Sequence, residues 1–254
     1  MISQTERHQF ILNKLHKEGF VNVLELFKEL DVSSVTIRKD LKLLEDKQLL
    51  FRTHGGATTN NPYMVDRPVN EKEKLQSGEK MKIGAVAAQS IQANDSIIIA
   101  SGTTVLAFAK NILPKENLTV ITASLPIAME LIKHPNAEII QLGGILRKSS
   151  SSVTGPYAQK ILTDFFCSKV FLGVDGIDLE FGITTTSVLE AHLNRQMIEV
   201  SQKVIVLSDS TKFGKRGFGR ICGLEEVDQI ITDSGLSDHF VNQLESRGIE
   251  VTIV

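Results

Sequence analysis

Apolar positions in the first fifty residues recur at helical spacing in three short runs divided by turn residues. Phe10, Ile11, Leu12 and Leu15 form one face of a helix that Ser3-Gln4-Thr5-Glu6 opens with capping-box spacing and Gly19 closes. Leu24, Phe27 and Leu30 stand three residues apart behind Asn22, a side chain suited to capping. Asp31-Val32-Ser33 makes a turn and Ser34 caps a third helix. On that helix Ile37, Leu41 and Leu44 share one side, leaving Val35, Lys39 and Lys42 on the other. Residues 49–52 read as a short strand, and Thr53-His54-Gly55-Gly56 as a turn whose glycines accept positive φ, so the pair reads as a wing.

The pattern then changes. From residue 57 to about 70 the chain is polar and broken by Asn60-Asn61-Pro62 and Pro68, which marks a linker. A charged helical stretch at 71–91 follows. Beyond it, β-branched apolar runs at 96–100, 118–122, 138–142, 169–174, 203–207, 229–232 and 250–254 alternate with helical segments at 104–111, 126–133, 156–165, 187–200 and 237–247. Strand-helix alternation of this kind predicts an α/β fold with a doubly wound, largely parallel sheet covered on both faces. The organisation predicted is a winged helix-turn-helix at 1–57, a linker at 58–72 and an α/β domain at 73–254.

Composition narrows the class. A chain of 254 residues exceeds the usual single core, and 42% hydrophobic with 23% charged residues suits a soluble globular protein. No apolar stretch approaches the roughly 20 residues that span a bilayer, and Glu6 and Arg7 stand where a signal peptide needs an apolar run. A cytoplasmic location without membrane partners is therefore expected. Cys167 and Cys222 are far apart and have no His or Cys at zinc spacing, so neither a disulfide framework nor a metal site is expected, and no cofactor is called for. Net charge is −2, which gives no general attraction to nucleic acid. Residues 34–54 nevertheless carry five cations against three carboxylates, a local +2.

Those cations sit where a helix-turn-helix presents its second helix to the major groove. Candidate DNA-contacting residues are Asn22, Ser33, Ser34, Val35, Thr36, Arg38, Lys39, Lys42, Arg52 and His54. Hydroxyls and cations hold phosphates, and Val35 can touch a thymine methyl. Asp40 pairs with a neighbouring cation and takes no base-reading role. The competing reading is an ordinary solvated helix face. The run Glu6-Arg7-His8-Gln9, Val23-Leu24-Glu25-Leu26, Val32-Ser33, Thr36-Ile37-Arg38-Lys39-Asp40-Leu41, Leu44-Glu45 and Arg52-Thr53-His54-Gly55-Gly56-Ala57 resembles the DeoR family of sugar-metabolism regulators. Two positions depart from the family pattern. Lys39 replaces a second arginine, turning a bidentate contact into a point charge, and Gln48 replaces a glycine C-cap. The resemblance implies a transcriptional repressor of a carbohydrate-utilisation operon, released from duplex operator DNA by a ligand. No residue excludes activation.

In the second domain, Ser101-Gly102-Thr103-Thr104 joins a strand to a helix, where backbone amides and the helix dipole favour an anion; a plain helix cap uses the same residues. Three more turns follow strands: Gly143-Gly144 with Arg147 beyond it, Gly173-Val174-Asp175-Gly176, and Ser208-Asp209-Ser210-Thr211-Lys212. Ligands of open α/β sheets bind beyond the carboxyl ends of strands, so these turns are expected to converge on one crevice. Lys212 would pair with phosphate unless it is a plain surface lysine, and Asp175 would bond sugar hydroxyls. The turns are similar to the family's C-terminal domain, itself related to ribose-5-phosphate isomerases. That relation implies a phosphorylated sugar as effector and matches Glu190 to the isomerase base. Gly176, however, replaces a carboxylate of those enzymes, and 180–185 lacks the lysine and glycine run beside their base, so binding without turnover is expected. The effector set is Ser101, Gly102, Thr103, Thr104, Gly143, Gly144, Asp175, Gly176, Glu190 and Lys212. A sugar-phosphate isomerase with an appended DNA-binding segment is the alternative; a nucleotide-binding protein is disfavoured because the first turn lacks the length and lysine of a P-loop. The basic loop 214–219 reads either as a lid or as an exposed loop. A homo-oligomer, dimer or tetramer, would set the spacing of paired heads.

Overall fold

Ser3 opens the first helix, α1 (Gln4–Glu18), by accepting the Glu6 amide, and the Glu6 carboxylate accepts the Ser3 amide in return at 2.9 Å. A computed structural model of the chain describes residues 2–47, 49–53, 55–59, 68–114 and 116–254. Two compact units divide it, Met1–Val65 and Asp66–Val254.

In the first unit α1 closes at Gly19, whose φ of 73° places it in the left-handed region that glycine tolerates best. Strand β1 (Phe20–Asn22) follows, and the Asn22 side chain caps α2 (Val23–Glu29) by accepting the Leu24 amide at 2.7 Å. Helix α3 (Ser34–Asp46) is capped by Ser33 rather than by Ser34, which is its first helical residue. Ser33 has the extended backbone that a cap requires and accepts the Thr36 amide at 3.1 Å. Strands β2 (Phe51–Thr53) and β3 (Gly56–Thr58) form the wing, and β1 adds to it in the antiparallel order β1-β3-β2. The strand predicted at 49–52 thus starts two residues later, and β1 has too few residues for any periodicity to announce it. Ile11, Leu15, Leu26, Ile37, Leu41 and Leu44 fill the core, each at 1% exposure or less. At about 1.5–3 kcal/mol per buried aliphatic side chain, that core holds a small head together without disulfides.

The second unit begins with α4 (Val69–Lys74) and α5 (Ser77–Ala88), where sequence predicts a single helical stretch. The break falls at Gln76, which is left-handed with φ 51°, and α4 occupies the end of the segment read as linker. The chain then runs β4 (Ser96–Ile99), α6 (Thr103–Asn111), β5 (Leu118–Thr122), α7 (Leu125–Leu131) and β6 (Ala137–Gln141). A hairpin of β7 (Ile145–Arg147) and β8 (Ser152–Thr154) leads to α8 (Pro156–Leu162) and β9 (Cys167–Gly173). Next come β10 (Gly176–Asp178), β11 (Gly182–Thr185), α9 (Val188–Glu199), β12 (Ser201–Leu207) and β13 (Gly219–Cys222), and finally β14 (Gln229–Thr232), α10 (Asp238–Glu245) and β15 (Glu250–Ile253).

Seven strands make one parallel sheet in the order β15-β14-β12-β9-β4-β5-β6. Both faces are buried: Ile97 and Ile99 enter one apolar cluster with Phe108 and Phe171, while Ile98 enters the other with Val170 and Leu172. Such strands read as continuous apolar runs, which is how the sequence announces them. From β4 the chain proceeds towards the β6 edge, and from β9 it proceeds towards the β15 edge. The order therefore reverses between β4 and β9, and in sheets of this kind the crevice lies beyond the carboxyl ends of the strands at such a reversal.

Candidate functional sites: a DNA-reading helix and an anion pocket

On α3, Val35 is 57% exposed and Arg38, Lys39 and Lys42 are exposed beside it. The Thr36 hydroxyl lies 2.9 Å from that of Ser33, so both cluster at the start of the helix. Ser34 is half-buried there. Asn22 is engaged with the Leu24 amide, and Arg52 stands 3.8 Å from Glu45. His54 lies outside the described residues.

Asp40, 2% exposed, faces inward. Arg7 grips it with Nε at 2.8 Å and Nη2 at 3.1 Å, and His8 Nε2 lies 3.0 Å away. A buried carboxylate needs such partners, and these hold α1 against α3 so that the cationic side of α3 faces out. Sequence reading missed Arg7 and His8, although Asp40 itself sits at apolar spacing with Ile37, Leu41 and Leu44.

In the second unit the crevice is floored by two touching turns. Gly102 has φ 134°, and a Cβ on Gly173 would lie 3.2 Å from the Ser101 carbonyl oxygen, so the turns after β4 and β9 pack closely against each other. Helix α6 starts from this floor at Thr103, and no side chain caps its first amides. Asp175 stands beside it and accepts from Lys72 Nζ at 2.9 Å, Thr185 Oγ1 at 3.0 Å and the Thr186 amide at 3.1 Å. Burial alone would raise its pKa, but Lys72, Lys212 and the Thr186 amide outweigh burial and hold the carboxyl below its ordinary value. Lys212 ends a short 3₁₀ turn, Ser210–Lys212, whose first amides are ordered by Asp209 and Asp233. A third lysine, Lys80, is buried at 5% exposure, donating to the carbonyls of Lys72 at 2.7 Å and Leu75 at 2.6 Å. Burial lowers its pKa to about 8, with Asp209 opposing the fall and Lys212 and Lys72 adding to it.

A second cluster surrounds Glu190, which is 8% exposed in the first turn of α9. Arg147 Nη1 reaches its Oε2 at 2.7 Å, and Ser152 donates to its Oε1 at 3.3 Å. Both oxygens thus hold the β7-β8 hairpin, an arrangement suited to fixing a wall rather than accepting a substrate proton. The hairpin joins the turn between β5 and α7 through the bridge between Ser124 and Ser152.

The sequence-predicted residues therefore distribute unevenly. Ser101 and Gly102 meet the β9 turn, whose Asp175 is within the field of Lys212, while Thr103 and Thr104 are buried in the first turn of α6. Gly143 is exposed with open space around it, and a Cβ on Gly144 would lie 2.6 Å from the Thr154 carbonyl oxygen, so it is Gly144 that admits β8. Gly176 is buried, with a Cβ there 2.6 Å from Thr184 Oγ1, and its smallness serves packing. The loop read as lid or exposed segment is pinned. Gly217 donates to Thr184 Oγ1 at 2.8 Å, and Arg216 pairs with Asp178 at 2.8 Å and lies 5.5 Å from the Phe181 ring centre. Lys72 and Lys80 escaped sequence reading, because nothing in a charged polar stretch distinguishes them.

Burial pushes the Cys167 thiol up to about 11 and the Cys222 thiol up to about 12, which leaves both unreactive. Among the described residues no group of three or more His, Cys, Asp or Glu side chains is placed to hold a metal ion, and no helix is long and apolar enough to cross a membrane.

Residues 7–63 match the DeoR-like helix-turn-helix domain, and residues 75–234 match the DeoR C terminal sensor domain. The chain is 37% identical over 249 residues to the uncharacterized HTH-type transcriptional regulator YulB of Bacillus subtilis (strain 168), covering 98% of this chain and 96% of that protein. It is 34% identical over 252 residues to a putative aga operon transcriptional repressor of Escherichia coli O157:H7, covering 98% and 94%. Among solved structures it is similar to ribose 5-phosphate isomerase A from Methanocaldococcus jannaschii, at a TM-score of 0.38 and 13% identity over 53% of each chain.

Proposed function

Since the chain belongs to the DeoR family of transcriptional regulators, we propose that it represses a carbohydrate-utilisation operon and that a phosphorylated sugar in the crevice above β4 and β9 changes its affinity for operator DNA. The observation that carries the effector reading is the meeting of the Gly102 and Gly173 turns beside Asp175, with Lys72 and Lys212 both acting on that carboxylate. Amides of the 101–104 turn and the Lys212 ammonium take the phosphate, and Asp175 accepts a sugar hydroxyl. Glu190, engaged with Arg147 and Ser152, supports binding without turnover. On the DNA side, Arg38, Lys39 and Lys42 take phosphates and Val35 meets a thymine methyl, with Ser33, Ser34 and Thr36 at the start of the same helix; Asn22, Arg52 and His54 stay with this reading as candidates from sequence. A homo-oligomer in the cytoplasm, pairing two heads on duplex DNA, completes the reading.

Thermal unfolding of the full chain with ribose 5-phosphate, glucose 6-phosphate, the unphosphorylated sugars and ATP tests it. A phosphorylated sugar at 100 times its Kd is expected to stabilise the wild type by about 2.7 kcal/mol, and Lys212→Ala to lose most of that gain. Equal responses to phosphorylated and plain sugars, or a response to ATP alone, would remove the sugar-phosphate reading.

A further inference from the structure

Helix α4 is anchored in an unusual way. It has six residues, none of them buried, and no side-chain cap, so neither an apolar face nor its own length can hold it. What holds it is polar. The Val69 amide donates to the Ser149 carbonyl at 2.6 Å, Lys72 pairs with Asp175 at 2.9 Å, Glu73 pairs with Lys110 at 2.9 Å, and Lys80 gathers the carbonyls of Lys72 and Leu75 at its far end. Two of these anchors belong to walls of the crevice. Ser149 lies between β7 and β8, the hairpin that carries Arg147 to Glu190, and Asp175 follows β9. The Lys72 side chain is 26% exposed, so its ammonium is neither lost in the core nor fully in water. Along the chain, α4 is also the first helix after the segment that joins the two units.

We infer that Lys72 is a further anion-contacting residue of the crevice, and that through it a bound phosphate orders the helix with which the second unit begins. The inference rests on the effector reading above and extends it. An ammonium has three donors, and the pair with Asp175 uses one. A phosphate held by the 101–104 turn and Lys212 enters the field that Lys72 and Lys212 already share at Asp175, and supplies Lys72 with a second, doubly charged acceptor. Because α4 buries none of its residues fully and its described bonds are polar, one more anchor changes its order more than it would for a helix packed in the core.

Hydrogen exchange of the full-length protein, read at residues 68–75 with and without saturating ribose 5-phosphate, glucose 6-phosphate or inorganic phosphate, tests this alongside calorimetric binding. In the wild type a bound probe is expected to slow exchange in that segment. Lys72→Met is expected to bind the same probe about tenfold or more weakly and to show no such slowing, while Lys72→Arg restores both in large part. A wild type that binds a probe with unchanged exchange at 68–75, or a Lys72→Met chain that binds as tightly as wild type, overturns the inference. A wild type that binds none of the probes overturns the effector reading itself and takes the role of Lys72 with it.

Discussion

Lys80 shows how a single residue can stabilise a helix end and burden the fold at once. Its ammonium satisfies two carbonyls at the end of α4, yet burial lowers its pKa from 10.5 to about 8. A depressed lysine is protonated less readily in the folded chain than in the unfolded one. Between about pH 8 and 10.5 the unfolded chain therefore binds more protons, and stability attributable to this residue rises with pH across that window; below pH 8 the penalty is fully present and constant. The urea midpoint of the wild type is thus expected to gain on that of Lys80→Met from pH 7.5 to 10, by at most about 3 kcal/mol when converted to free energy. Parallel pH curves for the two proteins would show that Lys80 titrates normally. Asp40 makes the complementary point about reading sequence. Sequence reading expected it to pair with a neighbouring cation, but its partners Arg7 and His8 lie on α1, and only the packed head brings them to it. That a carboxylate needs a cation is legible; the identity of a distant partner is not.

Among elements, the crossing of α5 over α6 is set by one glycine. A Cβ on Gly84 would come within 2.6 Å of the Ala107 carbonyl carbon and the Phe108 nitrogen, and backbone cannot yield as a side chain does. Gly84→Ala gains about 1 kcal/mol of helix propensity but must push the helices apart above Phe108, whose ring packs 4.3 Å from that of Phe171. Overpacking costs about 1–3 kcal/mol, and a contact this short places the variant at the upper end. The net expectation is a loss of about 2 kcal/mol, a fall in Tm of roughly 4–8 °C for a unit of this size. A Tm that rises instead would mean that propensity, not the crossing, decides. The same arithmetic of local signal explains which elements were legible. All seven strands of the parallel sheet were read within a few residues of their observed ends, because strands buried on both faces are unbroken apolar runs. Strands β7, β8, β10, β11 and β13 have three or four residues, too few for an alternating pattern to show; β7-β8 and β10-β11 are short hairpins, and β13 pairs with β11 from more than thirty residues away. Gln76 turns left between α4 and α5, and Lys80, one turn further along, donates to the Lys72 and Leu75 carbonyls that the break exposes; no apolar spacing marks either residue.

At the scale of the whole molecule the proposed reading puts DNA on the cationic face of α3 and an anion beside Asp175, in separate units, and regulation then requires that their equilibria be linked. The meeting of the 101–102 and 173–175 turns follows from the sheet order, since the carboxyl ends of adjacent parallel strands lie together; the Lys72 pair with Asp175 could not be read, because Lys72 comes from a segment with no pattern of its own. Linkage is a statement about free energy, so it binds both directions. If a sugar phosphate changes the affinity for operator DNA by some factor, operator DNA must change the affinity for that sugar phosphate by the same factor, typically 5–150-fold for couplings of about 1–3 kcal/mol. Measuring the effector Kd on the protein alone and on its DNA complex, and the DNA Kd with and without effector, closes the cycle. Equality of the two ratios within error is expected for wild type. A DNA Kd that shifts while the effector Kd does not would mean that the ligand acts on the DNA or on aggregation rather than through the fold, because no two-state protein can transmit a free energy in one direction only.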